Sequence, residues 1–147
     1  MMKQPSLDLV IGREVSHTWF GDYSSLYLEL GELTAKRRKD GTAGNPEGEI
    51  TLYAGFDWRV ERPRSILGGS KSERKQWPIL AKRLEGATVR AVAITGRLPE
   101  LIVSLSNGLT LATFNSSDGQ PDWVVSFNRL GLGHLCVMNG HLAHDQK

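Results

Sequence analysis

The chain has 147 residues, with 18 basic side chains, 16 acidic side chains and one cysteine. This length indicates a single domain that spans residues 1–147, because domains commonly run about 100–150 residues and such a chain can bury a self-supporting core. A single cysteine excludes an intramolecular disulfide framework and a zinc site made only of cysteines. The net charge of +2 does not by itself indicate nucleic-acid binding.

The apolar runs are too short for a membrane span. A strongly apolar run, residues 91–95, falls far short of the ~20 residues that a transmembrane helix needs. The opening Met-Met-Lys-Gln-Pro is not followed by the apolar stretch of a secretory signal. We therefore expect a cytoplasmic protein that makes no contact with a membrane.

The charge is unevenly distributed along the chain. Residues 1–35 carry a net charge of −3, and residues 36–58 are neutral. Residues 59–90 carry +6, and residues 91–147 carry −1. The middle of the chain is therefore basic, whereas its two ends are slightly acidic.

Period-two alternation predicts strands in the first part of the chain. Within residues 15–20, Val15, His17 and Trp19 are expected to share one face of a strand, because successive side chains point to opposite faces. The same alternation recurs in three further segments, Leu26–Leu30, Ile50–Ala54 and Phe56–Val60.

One short central helix is predicted over Trp77–Leu84. Trp77, Leu80 and Leu84 lie at i, i+3 and i+7, which places them on one helix face. Pro78 lacks a backbone N–H and fits only in the first turn, so the helix is expected to begin near Trp77.

The predicted helix has capping signals at both ends. Ser70 and Ser72 are candidate N-caps, and Glu73 stands at capping-box spacing from Ser70. Gly86 is a typical C-terminal stop.

Alternating apolar residues also predict strands after the helix. Asn107-Gly108 lies between two of them and indicates a hairpin with a type I′ turn, because Asn and Gly tolerate positive φ. The predicted strands are Val89–Thr95, Leu101–Leu105, Leu109–Phe114 and Trp123–Phe127.

The order of the elements favours an internal duplication. The two half-repeats cover residues 8–62 and 84–128, and a tail follows over residues 129–147. Their glycine-containing openings, at Gly12 and Gly86, are 74 residues apart. The expected fold class is α+β, mostly β, with two antiparallel β-meander halves and one short central helix.

Each half contains a strand with a tryptophan, Trp58 in the first and Trp123 in the second. Apolar neighbours of the same parity predict that both rings lie in the core. The first half carries an additional loop, Lys36–Gly48, which the second half lacks.

The C-terminal segment carries candidate metal ligands in His134, Cys136, His141 and His144. Imidazole and thiolate bind transition metals, so a metal-dependent enzyme is one alternative. No standard zinc spacing is matched, and the three glycines of this segment favour histidines in a tail outside regular structure.

A band of basic residues extends over residues 36–83, with Trp58 and Trp77 among them. Cations combined with aromatic rings are typical of single-stranded nucleic-acid binding, so a nucleic-acid-binding module is a second alternative. A solvated hairpin tip at Lys36–Gly48 explains part of the band equally well. The candidate partner-binding residues are Lys36, Arg37, Arg38, Lys39, Arg62, Arg64, Lys71 and Arg74.

The chain resembles a small bacterial family of uncharacterised proteins found among polymorphic toxin and immunity genes. The resemblance covers roughly residues 8–128. Its features are the Gly12–Val15 opening, Leu26–Leu30, the Trp58-Arg59 strand, the Trp77–Gly86 helix, and Asn107-Gly108-Leu109-Thr110-Leu111 followed by Trp123.

This resemblance implies a non-enzymatic protein that binds and blocks a cognate protein toxin. It transfers no catalytic residue and no cofactor to this chain. The expected contacts are the loops at Lys36–Gly48 and Arg62–Lys75, because exposed loops on a β scaffold commonly carry recognition.

Overall fold

A computed structural model describes residues 5–146 of the chain. The prediction about a secretory signal rests mostly on residues 1–4, which lie outside the described residues. The described part is mostly β, with strands in two antiparallel sheets and one short α-helix, which confirms the predicted fold class.

The six-stranded sheet and the five-stranded sheet are assembled from eleven strands. The helix α1 spans Trp77–Leu84, and 3₁₀ turns cover Leu7–Val10, Asp22–Ser24 and Arg74–Gln76. The strands are β1 (Val15–Phe20), β2 (Leu26–Leu30), β3 (Ile50–Ala54), β4 (Trp58–Glu61), β5 (Ile66–Gly69), β6 (Val89–Thr95), β7 (Glu100–Leu105), β8 (Thr110–Thr113), β9 (Trp123–Phe127), β10 (Gly133–Met138) and β11 (His141–Asp145).

Each sheet combines strands from both predicted halves. The six-stranded sheet has the order β1-β2-β3-β9-β10-β11, and the five-stranded sheet has the order β5-β4-β8-β7-β6. Three consecutive strands therefore form a meander in one sheet, and the next strand of the same half crosses to the other sheet. The two halves have the same strand order, and their origin by duplication stays a prediction.

Reciprocal backbone hydrogen bonds join the two sheets where β1 and β6 begin. Val15 N donates to Ala87 O at 2.7 Å, and Val89 N donates to Arg13 O at 2.9 Å. Each half thus satisfies backbone groups at the opening of the other, which is necessary because buried backbone polar groups need partners.

The inner faces of both sheets contribute to one cluster of buried apolar side chains. Trp58 and Trp123 are 4% and 0% exposed, which confirms the prediction that both rings lie in the core. Trp58 Nε1 donates to Ser24 O at 2.6 Å, and Trp123 Nε1 donates to Pro99 O at 3.0 Å. Each indole therefore fills the core and also fixes the turn between the first two strands of its half.

The helix α1 begins and ends where the sequence predicts, with Pro78 in its first turn. The predicted N-caps are wrong, because the Ser70 and Ser72 hydroxyls bond backbone groups of β4 and β5 instead. The predicted C-terminal stop is confirmed, since Gly86 follows the C-cap Glu85 with positive φ. The 3₁₀ turn Arg74–Gln76 leads directly into the helix, so a side-chain cap is replaced by continuous turns of backbone.

The predicted face of β1 is wrong beyond Val15. The pairing of β1 with β2 shifts register between Val15 and His17, which marks a β-bulge. The extra residue turns Thr18 towards the core and His17 and Trp19 towards the outer surface of the sheet.

The two Asn-Gly pairs form different turns. The predicted hairpin at Asn107-Gly108 exists, but only Gly108 has positive φ, so the turn is not type I′. Asn139 and Gly140 both have positive φ and form a type I′ turn between β10 and β11. Two strands thus lie within residues 129–147, which the sequence predicts as a tail. The glycines of this segment adopt turn conformations and do not interrupt the regular structure.

Gly12 and Gly86 provide a matched test of the two openings. Each has φ +90, and a Cβ at either position meets nothing within 4 Å, so an alanine adds backbone strain without a clash. We expect Gly12→Ala and Gly86→Ala each to lower the free energy of unfolding by about 1–2 kcal/mol, measured in urea.

The control for this pair is Gly119→Ala. Gly119 has ordinary φ and equally open surroundings. We expect it to change stability by less than about 0.5 kcal/mol. Equal free energies of unfolding for all three variants would contradict the expected backbone strain of an alanine at the two openings.

Candidate functional site: a cationic face on helix α1

The turn between β4 and β5, strand β5 and helix α1 together carry exposed cations and exposed isoleucines. We call this surface the cationic face. Its members are Arg62, Arg64, Ile66, Ile79, Lys82 and Arg83, all of which are exposed. Arg62, Ile79 and Arg83 line a cleft beside α1, whereas Arg64 and Ile66 line a second depression that Arg62 shares with Arg59 and Glu61.

The outer part of the cationic face follows from the helical period. Leu80 and Leu84 are 4% and 0% exposed and hold α1 against the core. Ile79, Lys82 and Arg83 lie at i, i+3 and i+4, which places them together on the other side of the helix. Ile79 is 59% exposed, so an apolar side chain stands beside two cations at the surface.

A cleft of about 240 Å³ separates β5 from α1. Arg62 and Arg83 both line it, so cations from the β4–β5 turn and from the helix meet at one depression. Leu67 and Ile79 supply apolar walls, and Gln76 adds a polar group. Arginine guanidinium groups with nearby apolar surface are typical of protein-recognition sites.

The cations of this face, Arg62, Arg64, Lys82 and Arg83, take part in none of the ion pairs of the described residues. Other basic residues of the same segment are paired: Arg59 with Glu61 at 2.7 Å, and Lys75 with Glu73 at 3.2 Å. Four of the six cations of residues 59–90 that form no ion pair in the described part of the chain therefore lie on the cationic face, and the other two are Arg74 and Arg90.

The other two candidates from the predicted Arg62–Lys75 loop have partners of their own. The Arg74 guanidinium carbon lies 5.5 Å from the centre of the Trp77 ring, in a cation–π contact. Lys71 Nζ lies 3.6 Å from Asp57 Oδ1, in a different depression from the cleft beside α1. The structure thus separates Lys71 from Arg62.

The cations of the loop between β2 and β3 serve mainly that loop. Arg37 Nη1 donates to Gly41 O at 2.9 Å, and the Arg38 guanidinium donates to Ala43 O at 2.5 Å. Lys36 Nζ lies 3.4 Å from a Glu47 carboxylate oxygen. Lys36, Arg37 and Arg38 therefore make these polar contacts within their own loop.

The aromatic rings of the predicted band are not available for stacking on bases. Trp58 and Trp77 are 4% and 6% exposed. A buried ring cannot present its face to a nucleotide, so the aromatic component of the nucleic-acid hypothesis is missing here.

The candidate metal ligands lie on β10 and β11 without forming a cluster. His134 and Cys136 share the outer face of β10, whereas His141 and His144 lie on opposite faces of β11 because they are three positions apart in the strand. Within residues 5–146 no three His, Cys, Asp or Glu side chains are grouped as a metal site requires.

Cys136 lies half-buried on the outer face of its sheet. Burial raises the pKa of its thiol, and the nearby Asp145 carboxylate raises it further, because both disfavour the thiolate. The thiolate is the form that binds metals and attacks electrophiles. This cysteine is therefore a poor ligand and a poor nucleophile at neutral pH.

We expect Cys136 in the folded protein to react with iodoacetamide about tenfold or more slowly than in the urea-unfolded protein, because the thiolate fraction and access are both reduced. Mass spectrometry of quenched samples at mildly alkaline pH measures both rates. Equal rates in the folded and unfolded protein would contradict the raised pKa and the packing of this thiol.

No helix in the described part of the chain is long and apolar enough to cross a membrane. Searches of protein-family models, curated proteins and solved structures found no match to the chain.

The named partner-binding residues did not include Ile66, Ile79, Lys82 or Arg83, although Ile66 lies in the predicted contact loop Arg62–Lys75 and the two cations lie in the predicted basic band. The signal for three of them was present in the sequence, because fixing Trp77, Leu80 and Leu84 on the buried side of the helix leaves positions 79, 82 and 83 outside. Ile66 had no such signal, since β5 was not predicted as a strand.

Proposed function

We propose that this chain is a non-enzymatic bacterial protein of the immunity type. It acts in the cytoplasm and neutralises a cognate protein toxin by docking its cationic face onto an acidic surface of the toxin. The observation that carries the proposal is that Arg62, Arg64, Lys82 and Arg83 are exposed and form no ion pair within residues 5–146. The same segment exposes Ile66 by 62% and Ile79 by 59%.

The composition of the cationic face supports a protein partner. Interfaces combine an apolar centre with a polar rim, and arginine is enriched in them. Burying Ile66 and Ile79 at an interface would contribute about 1.5–3 kcal/mol each. Unpaired arginines would supply orientation and accelerate the encounter with an acidic partner.

The scaffold also supports recognition without large rearrangement. Helix α1 packs beside β1, and Leu80 and Leu84 fix its rotation through the core. The part of the cationic face on α1 is therefore held by a packed helix, whose backbone loses little conformational entropy on binding. An interface of about 800 Å² per partner, centred on the cleft, would suffice to cover an active site or to block a toxin's required motion.

The resemblance to immunity-associated proteins supports a protein toxin as the partner. The positive charge of the cationic face supports a negatively charged surface on that partner. Nucleic-acid binding is the competing function, since phosphates also attract unpaired arginines. The exposed isoleucines favour the protein partner, because they offer nothing to a phosphate backbone.

The test is co-expression with the protein encoded beside this gene. We expect the wild-type chain to restore growth of cells that express that protein and to co-purify with it. The double variant Arg62→Glu/Arg83→Glu should weaken binding about tenfold to hundredfold and lose the rescue, because two contacts become repulsive. Isothermal titration calorimetry measures the affinity.

The matched control is Lys39→Glu/Arg97→Glu, which makes the same change in net charge at two exposed positions outside the cationic face. It should retain both rescue and affinity. Failure of the wild-type chain to rescue or to co-purify would overturn the proposal. Salt-sensitive binding of a labelled single-stranded oligonucleotide, lost in the Arg62/Arg83 variant, would assign the face to nucleic acid instead.

A further inference from the structure

A row of aromatic and apolar side chains crosses the outer face of the six-stranded sheet. The strand register places Trp19, Tyr27, Tyr53, Val124 and Cys136 opposite one another on successive strands. The Trp19 and Tyr27 rings stack with their centres 3.7 Å apart, and the centres of the tilted Tyr27 and Tyr53 rings are 5.1 Å apart. The outward face of an antiparallel sheet is commonly polar, so this row is a departure from that pattern.

From Tyr27 to Cys136 the row lines a groove of about 440 Å³. This volume lies within the range of small-molecule sites, about 300–1,000 Å³. Pro121, Met138 and Asp145 also line the groove. Most of its lining side chains are therefore aromatic, aliphatic or sulfur-containing, and one is a carboxylate.

The hydroxyls of Thr51 and Ser126, which also line the groove, are already hydrogen-bonded. Thr51 Oγ1 donates to Glu29 Oε1 at 2.5 Å and accepts from Asn128 Nδ2 at 2.8 Å. Ser126 Oγ and His134 Nδ1 are hydrogen-bonded at 2.6 Å. A ligand that required these groups would have to break existing bonds. The groove thus favours a ligand that is held by apolar contact and charge.

The electrostatic environment of the groove favours a positive charge. Asp145 lines it, and no lysine or arginine of the described residues does. Burial raises the pKa of the Tyr53 hydroxyl, and the neighbouring Tyr27 and the Asp122 carboxylate raise it further. Burial also raises the pKa of the Cys136 thiol, and Asp145 adds to that effect. Both weak acids are therefore disfavoured as anions in the groove.

Asp122 contributes a second carboxylate beside the groove. It follows Pro121 in the chain and is 0% exposed. Its Oδ1 accepts from Ser116 N at 3.2 Å, whereas its Oδ2 has no hydrogen-bond partner within residues 5–146. A buried carboxylate that is incompletely paired is costly, and a positive charge nearby would offset part of that cost.

We propose that this groove binds an alkylated ammonium ion, a cation whose charge is surrounded by methyl or methylene groups. Aromatic rings attract such cations, most strongly where water is excluded. Tyr27 and Tyr53 provide the rings, Val124 and Met138 provide apolar contact, and Asp145 provides the opposite charge. A fully alkylated ammonium donates no hydrogen bond, so it makes no demand on the engaged hydroxyls.

The groove and the cationic face share no residue. The inference therefore does not depend on the proposed function. A substitution that abolishes ammonium binding in the groove should leave the rescue from a toxin unchanged, and the Arg62→Glu/Arg83→Glu variant should bind the ammonium ion like the wild-type chain.

Choline and an uncharged isostere test the requirement for charge. The isostere is 3,3-dimethylbutanol, in which carbon replaces the nitrogen of choline. We expect choline to bind with a Kd of about 1 mM or tighter, and the isostere to bind at least about tenfold more weakly, because it lacks the charge. Titrations followed by two-dimensional NMR measure both affinities. The shifted amides should include those of Tyr53, Val124 and Cys136.

Two variants separate the contribution of the charge from that of the ring. Asp145→Asn should weaken choline binding about threefold to tenfold without changing the affinity for the isostere. Tyr53→Leu should also weaken choline binding, because it keeps an apolar side chain but removes the ring. The matched control Asp118→Asn removes an exposed carboxylate outside the groove and should bind choline like the wild-type chain. Thermal unfolding should show that all variants are folded.

Equal affinities of the wild-type chain for choline and for the isostere would overturn the assignment of a cation. Amide shifts confined to residues outside the groove would overturn the location of the site. The proposal would also fail if neither choline nor the larger benzyltrimethylammonium showed saturable binding up to about 50 mM, where even weak association is detected.

Discussion

The crossing of one strand from each half into the opposite sheet is the constraint on which this structure depends. β4 leaves the meander of its own half to pair with β8, and β9 leaves its half to pair with β3. Neither meander can therefore complete a sheet without strands from the other half. The hydrogen bonds between the openings of β1 and β6 fix the corner at which the two sheets meet.

This constraint determines what the surface can present. The segment between the halves lies along the edge of the five-stranded sheet and then packs beside β1 of the six-stranded sheet. That segment contains β5 and α1, and it carries the excess positive charge of the chain. Its buried leucines fix the helix, so its exposed isoleucine and cations are displayed on a rigid support.

Local patterns in the sequence predicted much of the fold. The helix over Trp77–Leu84 and most of the strands follow from hydrophobic period, because burial of one face imposes that period directly. The face of β1 was not predictable, since a bulge changes parity without leaving a distinctive residue. The strands after Arg129 were missed because the glycines of that segment indicate breaks as readily as turns. The exchange between sheets was invisible, because a strand alternates in the same way whichever sheet it joins.

The candidate site was predicted in part for a similar reason. Composition locates the basic segment, but the partners of each cation depend on the tertiary structure. Arg37 and Arg38 bond their own loop, Lys71 lies beside Asp57, and only Arg62 and Arg64 of the predicted set belong to the cationic face. A sequence with a total charge of +2 can therefore contain one surface with an unbalanced positive charge.

Native-state hydrogen exchange tests the central claim, that the exchanged strands make both halves one cooperative unit. Amides of Leu28 and Leu52 in one meander, and of Val103 and Leu111 in the other, should exchange through the same global opening. Their opening free energies and denaturant dependences should converge as denaturant is added. If the amides of one meander instead exchange through a smaller opening while the other stays protected, the halves unfold independently and the claim is contradicted.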